Sequence, residues 1–305
     1  MLMKRTVKNI ALLAVACLLS MNAMAENALP SWSDVDYAGD GIVGHRLDIY
    51  APRDGKSLHK VVVIIYGSAW YSNKDKEKAF REIGQPLLDA GFAVVSINHR
   101  ASVEAKFPAQ INDVKAAVRY VRAHAREYGF DTSFIGITGY SSGGHLSSLT
   151  GTTNGVKTFT VGKETVDIEG KVGNCLKSSS KVDAVVDWFG PVDMARMQDC
   201  STTKDEKSPE ATLLGVAPAK NLDLVALLGP ATYIDKKDPM FLVIHGDADP
   251  VVPYCQSVNF SEALKKQGKL YDFVTVPNGK HGPVTFNKDT FAKMVAFFKK
   301  MAKMK

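Results

Sequence analysis

Cysteine is scarce in this chain: four in 305 residues, none set beside histidine at a zinc-ligand spacing. That excludes a zinc module and a disulfide-dense scaffold, and we predict no metal. Charge of one sign is also lacking. The formal balance is +6 and falls to +3 without Lys4, Arg5 and Lys8, too mild to imply nucleic acid or an anionic surface. Beyond the first residues no apolar run approaches the ~20 positions of a membrane span. No repeat or low-complexity tract occurs, and nothing points to an obligate protein partner.

What is present begins with a leader. Lys4, Arg5 and Lys8 precede an apolar run from Ile10 to about Leu19, and Ala23-Met24-Ala25 supplies a small-x-small cleavage site before Glu26. We therefore predict a signal peptide over 1–25 and an exported mature chain, periplasmic or secreted. Ala14-Val15-Ala16-Cys17 lacks the bulky residue three before the cysteine, which ranks a lipoprotein signal below plain export. Residues 26–305 are enough for one large α/β domain. Export permits disulfides. Cys175 and Cys200, both in polar irregular stretches, are the pair considered, which leaves Cys255 over; three buried thiols are the alternative.

Short apolar β-branched runs recur at 46–50, 60–66, 92–97, 133–138, 182–188, 240–245 and 270–276. Several are apolar almost throughout, as strands covered on both faces are. Helical patterns lie between them at 76–90, 109–127, 142–150, 256–267 and 288–302. In the second, Ile111, Val114, Val118 and Val121 share a side while Lys115, Arg119, Arg122 and Arg126 fall largely opposite. This alternation predicts a doubly wound, mostly parallel α/β sheet. Two segments break it. Residues 151–181 and 191–232 are both candidates for a small cap, lid or wall of a substrate site, with a solvated surface excursion the alternative, favoured more for 151–181 than for 191–232.

Gly139-Tyr140-Ser141-Ser142-Gly143 follows the fourth strand and opens a helix. Strand, Gly-x-Ser-x-Gly and helix in that order describe a nucleophile elbow, with glycines where side chains would collide. Ser141 is the candidate nucleophile. A serine hydroxyl needs a base, and the base needs a carboxylate to fix its tautomer. The acid belongs in a loop leaving a late strand, and His245-Gly246-Asp247-Ala248-Asp249-Pro250 leaves one. Asp249, stiffened by the following proline, is the first choice; Asp247 is the reserve and otherwise supports the turn. His281, between Gly279 and Pro283 in a bending loop after the last strand, is the candidate base. Of the other histidines, His45, His59 and His124 read as surface positions, His99 and His245 as turn braces, and His145 as a packing or capping residue.

Acyl transfer also needs N–H groups aimed at a developing oxyanion. The backbone N–H of Ser142 is one candidate. The second is Ser68 or Ala69, in the small-residue loop Tyr66-Gly67-Ser68-Ala69-Trp70. Trp70, Tyr140 and Trp188 are candidate substrate contacts, although aromatics in such places pack walls more often than they bind.

Several stretches carry a resemblance. They are the elbow with Gly143-Gly144-His145, the run Phe107-Pro108-Ala109-Gln110-Ile111-Asn112-Asp113-Val114, the run Val182-Asp183-Ala184-Val185-Val186-Asp187-Trp188-Phe189-Gly190-Pro191, Ser208-Pro209-Glu210-Ala211, the Asp249 loop and the Gly-Lys-His-Gly around His281. Together they resemble an α/β-hydrolase of the esterase/lipase superfamily, closest to the exported feruloyl/acetylxylan-esterase group that removes xylan decorations. The resemblance implies a Ser141–Asp249–His281 triad acting on carboxylic esters without a cofactor, on a small-molecule or polysaccharide-linked substrate. One departure is the oxyanion loop: relatives carry His-Gly-Gly-Gly-Trp, and Tyr66, Ser68 and Ala69 stand here. Two rivals share features. A prolyl-oligopeptidase-type peptidase has the same fold and triad order but adds a propeller, for which we expect no room. A non-catalytic carbohydrate-binding relative would have lost a triad member.

Overall fold

The computed structural model describes residues 28–194 and 208–304. The predicted signal peptide, Cys17, Cys200 and the middle of the 191–232 segment lie outside the described residues.

Val61-Val62-Val63-Ile64-Ile65 is β-branched at every position, which favours an extended backbone. In β3 (His59–Ile65), Val61, Val63 and Ile65 enter one core cluster while Val62 and Ile64 enter the other. A strand apolar on both sides belongs in mid-sheet under two helical layers. Its companions are β1 (Trp32–Asp36), β2 (Arg46–Tyr50), β4 (Ala93–Ile97), β5 (Phe130–Tyr140), β8 (Ala184–Trp188), β9 (Met240–Gly246) and β10 (Leu270–Val276). These eight strands form the main sheet in the order β1-β2-β4-β3-β5-β8-β9-β10. β2 runs antiparallel to both of its neighbours, β1 and β4; from β4 to β10 every adjacent pair in the sheet is parallel.

The chain leaves β3 through helical residues on one face, where Phe80, Ile83 and Leu87 are buried, and reaches β4 on one side. It returns across the opposite face through helix Ala109–Ala123, burying Ile111, Val114 and Val118, to β5 on the other side of β3. The winding therefore reverses between β3 and β5, and their carboxyl ends flank a crevice of the kind that holds ligands in such sheets. The loop Tyr66–Trp70 leaves one of these ends and Ser141 leaves the other.

β1 gives no periodic signal because Trp32-Ser33-Asp34-Val35-Asp36 is polar and largely exposed, with no buried face to pattern it. A small antiparallel hairpin, β6 (Thr158–Val161) and β7 (Glu164–Asp167), occupies part of the polar 151–181 stretch. Arg119 anchors the chain beyond this hairpin by donating to the carbonyls of Glu169 and Val172 and to the Glu169 carboxylate. The predicted helix 109–127 breaks at His124 into Ala109–Ala123 and Ala125–Tyr128. The helical stretch from Lys76 widens into a π turn over Phe80–Gly84 just before Pro86, which has no N–H to continue an α ladder. Cys175 is a free thiol, and Cys255 is disulfide-bonded, so the pairing of Cys175 with Cys200 is overturned. Spacing carried no information on which thiol lay near which.

Of the 191–232 segment, the described part forms helix Pro209–Leu214, helix Leu222–Leu228 and short 3-10 turns. Leu213, Leu214, Leu227 and Leu228 join the core. No described helix is long and apolar enough to cross a membrane.

Candidate active site

The turn after β5 is built by glycine. Ser141 has φ 56° and ψ −125°, a strained setting for an L residue. A Cβ on Gly139 would lie 2.4 Å from the carbonyl oxygen of Gly143, and one on Gly143 would lie 2.3 Å from that of Ile65. Either contact would force the backbone apart, so the Gly-x-Ser-x-Gly spacing is a steric requirement here. The Ser141 N–H donates to the Trp188 carbonyl, pinning the turn to β8.

Three side chains from three loops meet at this point. His281 Nε2 lies 3.0 Å from Ser141 Oγ, and His281 Nδ1 lies 2.8 Å from Asp249 Oδ2. With Asp249 ionised, Nδ1–H donates to the carboxylate and Nε2 is left to accept the Ser141 hydroxyl. The Asp249 side chain is fully buried, which works against its charge. Hydrogen bonds from His245 and His281 and from the Val251 N–H outweigh this and hold its carboxyl well below the usual range. His245 is the brace: its Nε2 lies 3.1 Å from the Val252 carbonyl and 3.3 Å from Asp249 Oδ2, while its Nδ1 meets Ser257 Oγ at 2.7 Å. Asp247 is exposed and accepts the Asn278 N–H at 2.7 Å, away from His281.

The oxyanion candidates divide. Ser68 N–H donates to Ser142 Oγ at 2.9 Å and is already committed. Among the described residues, the N–H groups of Ala69 and Ser142 have no such partner. Ala69 and Trp70 both have positive φ, 50° and 61°, so this loop departs sharply from ordinary turns.

A cleft of about 360 Å³ opens over Ser141 and His281, walled by Gly67, Ala69, Tyr140, Phe189, Pro283 and Phe286. Two of the three aromatic candidates do not reach it. Trp70 is buried against His145, and Trp188 is buried against Phe286 and Phe291, so neither offers a face to a ligand. Tyr140 does line the cleft, and among the described residues its buried hydroxyl has no hydrogen-bond partner. Lys78 and Glu82, one helical turn apart, also line it. Sequence reasoning misses them because a Lys–Glu spacing of four usually marks a solvated face. A larger cavity, about 690 Å³, is lined by Ala28, Pro52 and Leu88 among others and contains none of these groups.

The remaining histidines correct two expectations. His45 is buried between Asp40 and Asp113, and His59 is buried against Asp54, because both imidazoles find carboxylates in the fold. His99 stacks on Tyr66, and His145 is fully buried behind the elbow.

Behind the elbow sits Asp187, fully buried, with Oδ1 accepting the Gly190 N–H at 3.1 Å and Oδ2 without a partner among the described residues. Burial pushes its carboxyl up to about 7. The unfolded chain loses that proton near pH 4. Between about pH 4 and pH 7 the folded chain therefore holds a proton the unfolded chain has released, and stability falls as pH rises through that window. Asp187→Asn is expected to remove this slope. In urea unfolding, the variant's stability relative to wild type should rise by a few kcal/mol from pH 4 to pH 7. A pH-independent difference would mean that Asp187 ionises normally.

Sheet order, elbow and the Ser–Asp–His sequence order define an α/β-hydrolase. Within that class the chain belongs to the BD-FAE family, whose model matches residues 47–264. It is similar to a bifunctional GH43-CE protein of Bacteroides eggerthii, at 63% identity and a TM-score of 0.87, over 89% of this chain and 35% of that one. It is also similar to a truncated form of a carbohydrate esterase from gut microbiota, at 54% identity and a TM-score of 0.89, over 92% of this chain and 99% of that one. The probable carboxylic ester hydrolase LipM of Mycobacterium tuberculosis is 32% identical over 243 residues, 77% of this chain and 53% of LipM. The chain spans about half the length of the curated relatives it matches.

Proposed function

We propose that this chain is an exported serine carboxylic-ester hydrolase that removes acetyl or feruloyl groups from plant polysaccharide or similar esters. The observation that carries the reading is the hydrogen-bonded series Ser141 Oγ, His281 Nε2, His281 Nδ1 and Asp249 Oδ2 at the mouth of a cleft. The carbohydrate esterase of gut microbiota and the GH43-CE protein support the polysaccharide side of the substrate. The basic, apolar leader supports export, and so does the disulfide at Cys255, a bond that persists in oxidising compartments.

In this mechanism His281 Nε2 takes the Ser141 proton as Oγ attacks the ester carbonyl carbon. The carbonyl electrons move onto oxygen, where the Ser142 and Ala69 N–H groups receive the charge. The tetrahedral species collapses, the C–O bond to the alcohol breaks, and the alcohol leaves with the proton held by His281. Water then gives a proton to His281 and attacks the acyl-Ser141 carbonyl, releasing the acid and restoring the hydroxyl. Asp249 stays ionised throughout and stabilises the imidazolium.

The test compares residues 26–305 on acetylated xylan, methyl ferulate, nitrophenyl acetate and a proline-linked aryl amide. Turnover of the aryl acetate and of at least one decorated substrate, with no amide cleavage, is expected. Amide cleavage without ester hydrolysis would replace this reading by a peptidase.

A further inference from the structure

His145 lies one turn past Ser141 on the elbow helix Ser142–Thr152 and is completely buried. Its two ring nitrogens have different partners. Nε2 lies 2.9 Å from the Leu228 carbonyl, which only accepts, so Nε2 carries the proton. Nδ1 then holds a lone pair, and the Trp70 indole N–H donates to it at 3.3 Å, with the two rings edge to face at 5.2 Å. The partners thus fix one neutral tautomer, and burial, which pushes the imidazole down to about 4, keeps it uncharged at neutral pH.

Trp70 is the second of two consecutive left-handed residues, and the first is Ala69. Such a pair does not persist on local preference and must be held by its surroundings. The holds include Tyr71 N–H to the Ser68 carbonyl, Ser102 N–H to the Trp70 carbonyl, Ser68 N–H to Ser142 Oγ, and the indole bond to His145. Of these, the bonds to Ser142 and His145 tie the loop to the helix that carries the nucleophile. We propose that His145 is a positioning residue that sets the Ala69 N–H relative to Ser141 by accepting the Trp70 indole N–H, replacing the contacts a glycine-rich loop would use. This rests on the ester-hydrolase reading above. It also gives the Leu222–Leu228 helix, at whose carboxyl end the Leu228 carbonyl lies, a direct connection to the loop that receives the oxyanion.

Amide substitutions separate the two ring nitrogens. Asparagine places an acceptor near the Nδ1 position and gives up the Leu228 contact; glutamine places a donor near the Nε2 position and gives up the Trp70 contact. His145→Gln is expected to lower kcat on nitrophenyl acetate about 10- to 100-fold with KM within about threefold, since a displaced oxyanion donor acts on the transition state. His145→Asn should recover most of that loss. Trp70→Phe, which keeps the ring and removes the N–H, should match His145→Gln, and the double variant should be no slower than either single one. Backbone hydrogen exchange over 68–72 should quicken in His145→Gln and Trp70→Phe but not in His145→Asn, and this is read without any substrate. A Trp70→Phe variant with wild-type kcat and wild-type exchange would overturn the proposal, as would equal losses in the two amide variants. If no ester is turned over by wild type, the ester-hydrolase reading fails, and unchanged exchange in Trp70→Phe would separately refute the positioning role.

Discussion

Ser141→Ala is expected to lower kcat on nitrophenyl acetate by roughly 10⁵- to 10⁶-fold while leaving the fold intact. The residue at this position must adopt φ 56° and ψ −125°, and alanine bears the same Cβ in that geometry as serine does. Only the hydroxyl is lost, the group that accepts the acyl group in the proposed mechanism. The neighbouring Ser142 does not replace it, because its Oγ accepts the Ser68 N–H and supports the Tyr66–Trp70 loop. The cleft, the Ser142 and Ala69 N–H groups and His281 remain, so a small residual rate over the uncatalysed reaction is expected. Steady-state kinetics with a thermal melt on the same sample separates loss of chemistry from loss of structure. Retention of more than about a tenth of wild-type kcat would remove Ser141 from the mechanism.

Asp249→Asn is expected to cost about 10⁴-fold in kcat, and Asp247→Asn less than about threefold. The two aspartates lie close together in the chain but meet different partners. Asp249 Oδ2 takes the proton side of His281, and Asp249 Oδ1 accepts the N–H groups of Val251 and Val252, which aim the carboxylate. An amide here offers His281 Nδ1 either a neutral oxygen or an N–H, and the latter turns the imidazole to the tautomer that cannot accept from Ser141. Asp247 receives the Asn278 N–H, a role an asparagine oxygen keeps. The same steady-state assay on both variants decides between them: a large loss in Asp247→Asn with little in Asp249→Asn would exchange their roles.

Those parts of the site and fold that are legible in the chain are the local ones. The elbow announces itself because its backbone tolerates only glycine at 139 and 143, and β3 because five successive β-branched residues leave little alternative to a buried strand. Order along the chain puts Asp249 and His281 in loops after the last two strands without revealing that they meet Ser141. Features created by long-range packing escape. The exposed edge strand β1 has no buried face to give it a period. Trp70 and Trp188 look like ligand platforms by position and turn out to fill the core, one packed against His145 and the other against Phe286 and Phe291. The environments of His45 and His59 depend on carboxylates brought by the fold, and the disulfide at Cys255 on which thiols the fold brings together. Lys78 and Glu82 line the cleft through the path of their helix after the Tyr66–Trp70 loop, which no local pattern encodes.

In the proposed mechanism Ser141 carries the acyl group. Acid quench during the first turnovers of nitrophenyl acetate, followed by peptide mass mapping, tests this directly. One acetyl group is predicted on the peptide spanning Ser141, absent in Ser141→Ala and accumulating in the wild type before steady state. An acetyl group located on another residue, or ester turnover by Ser141→Ala at the wild-type rate, would contradict it.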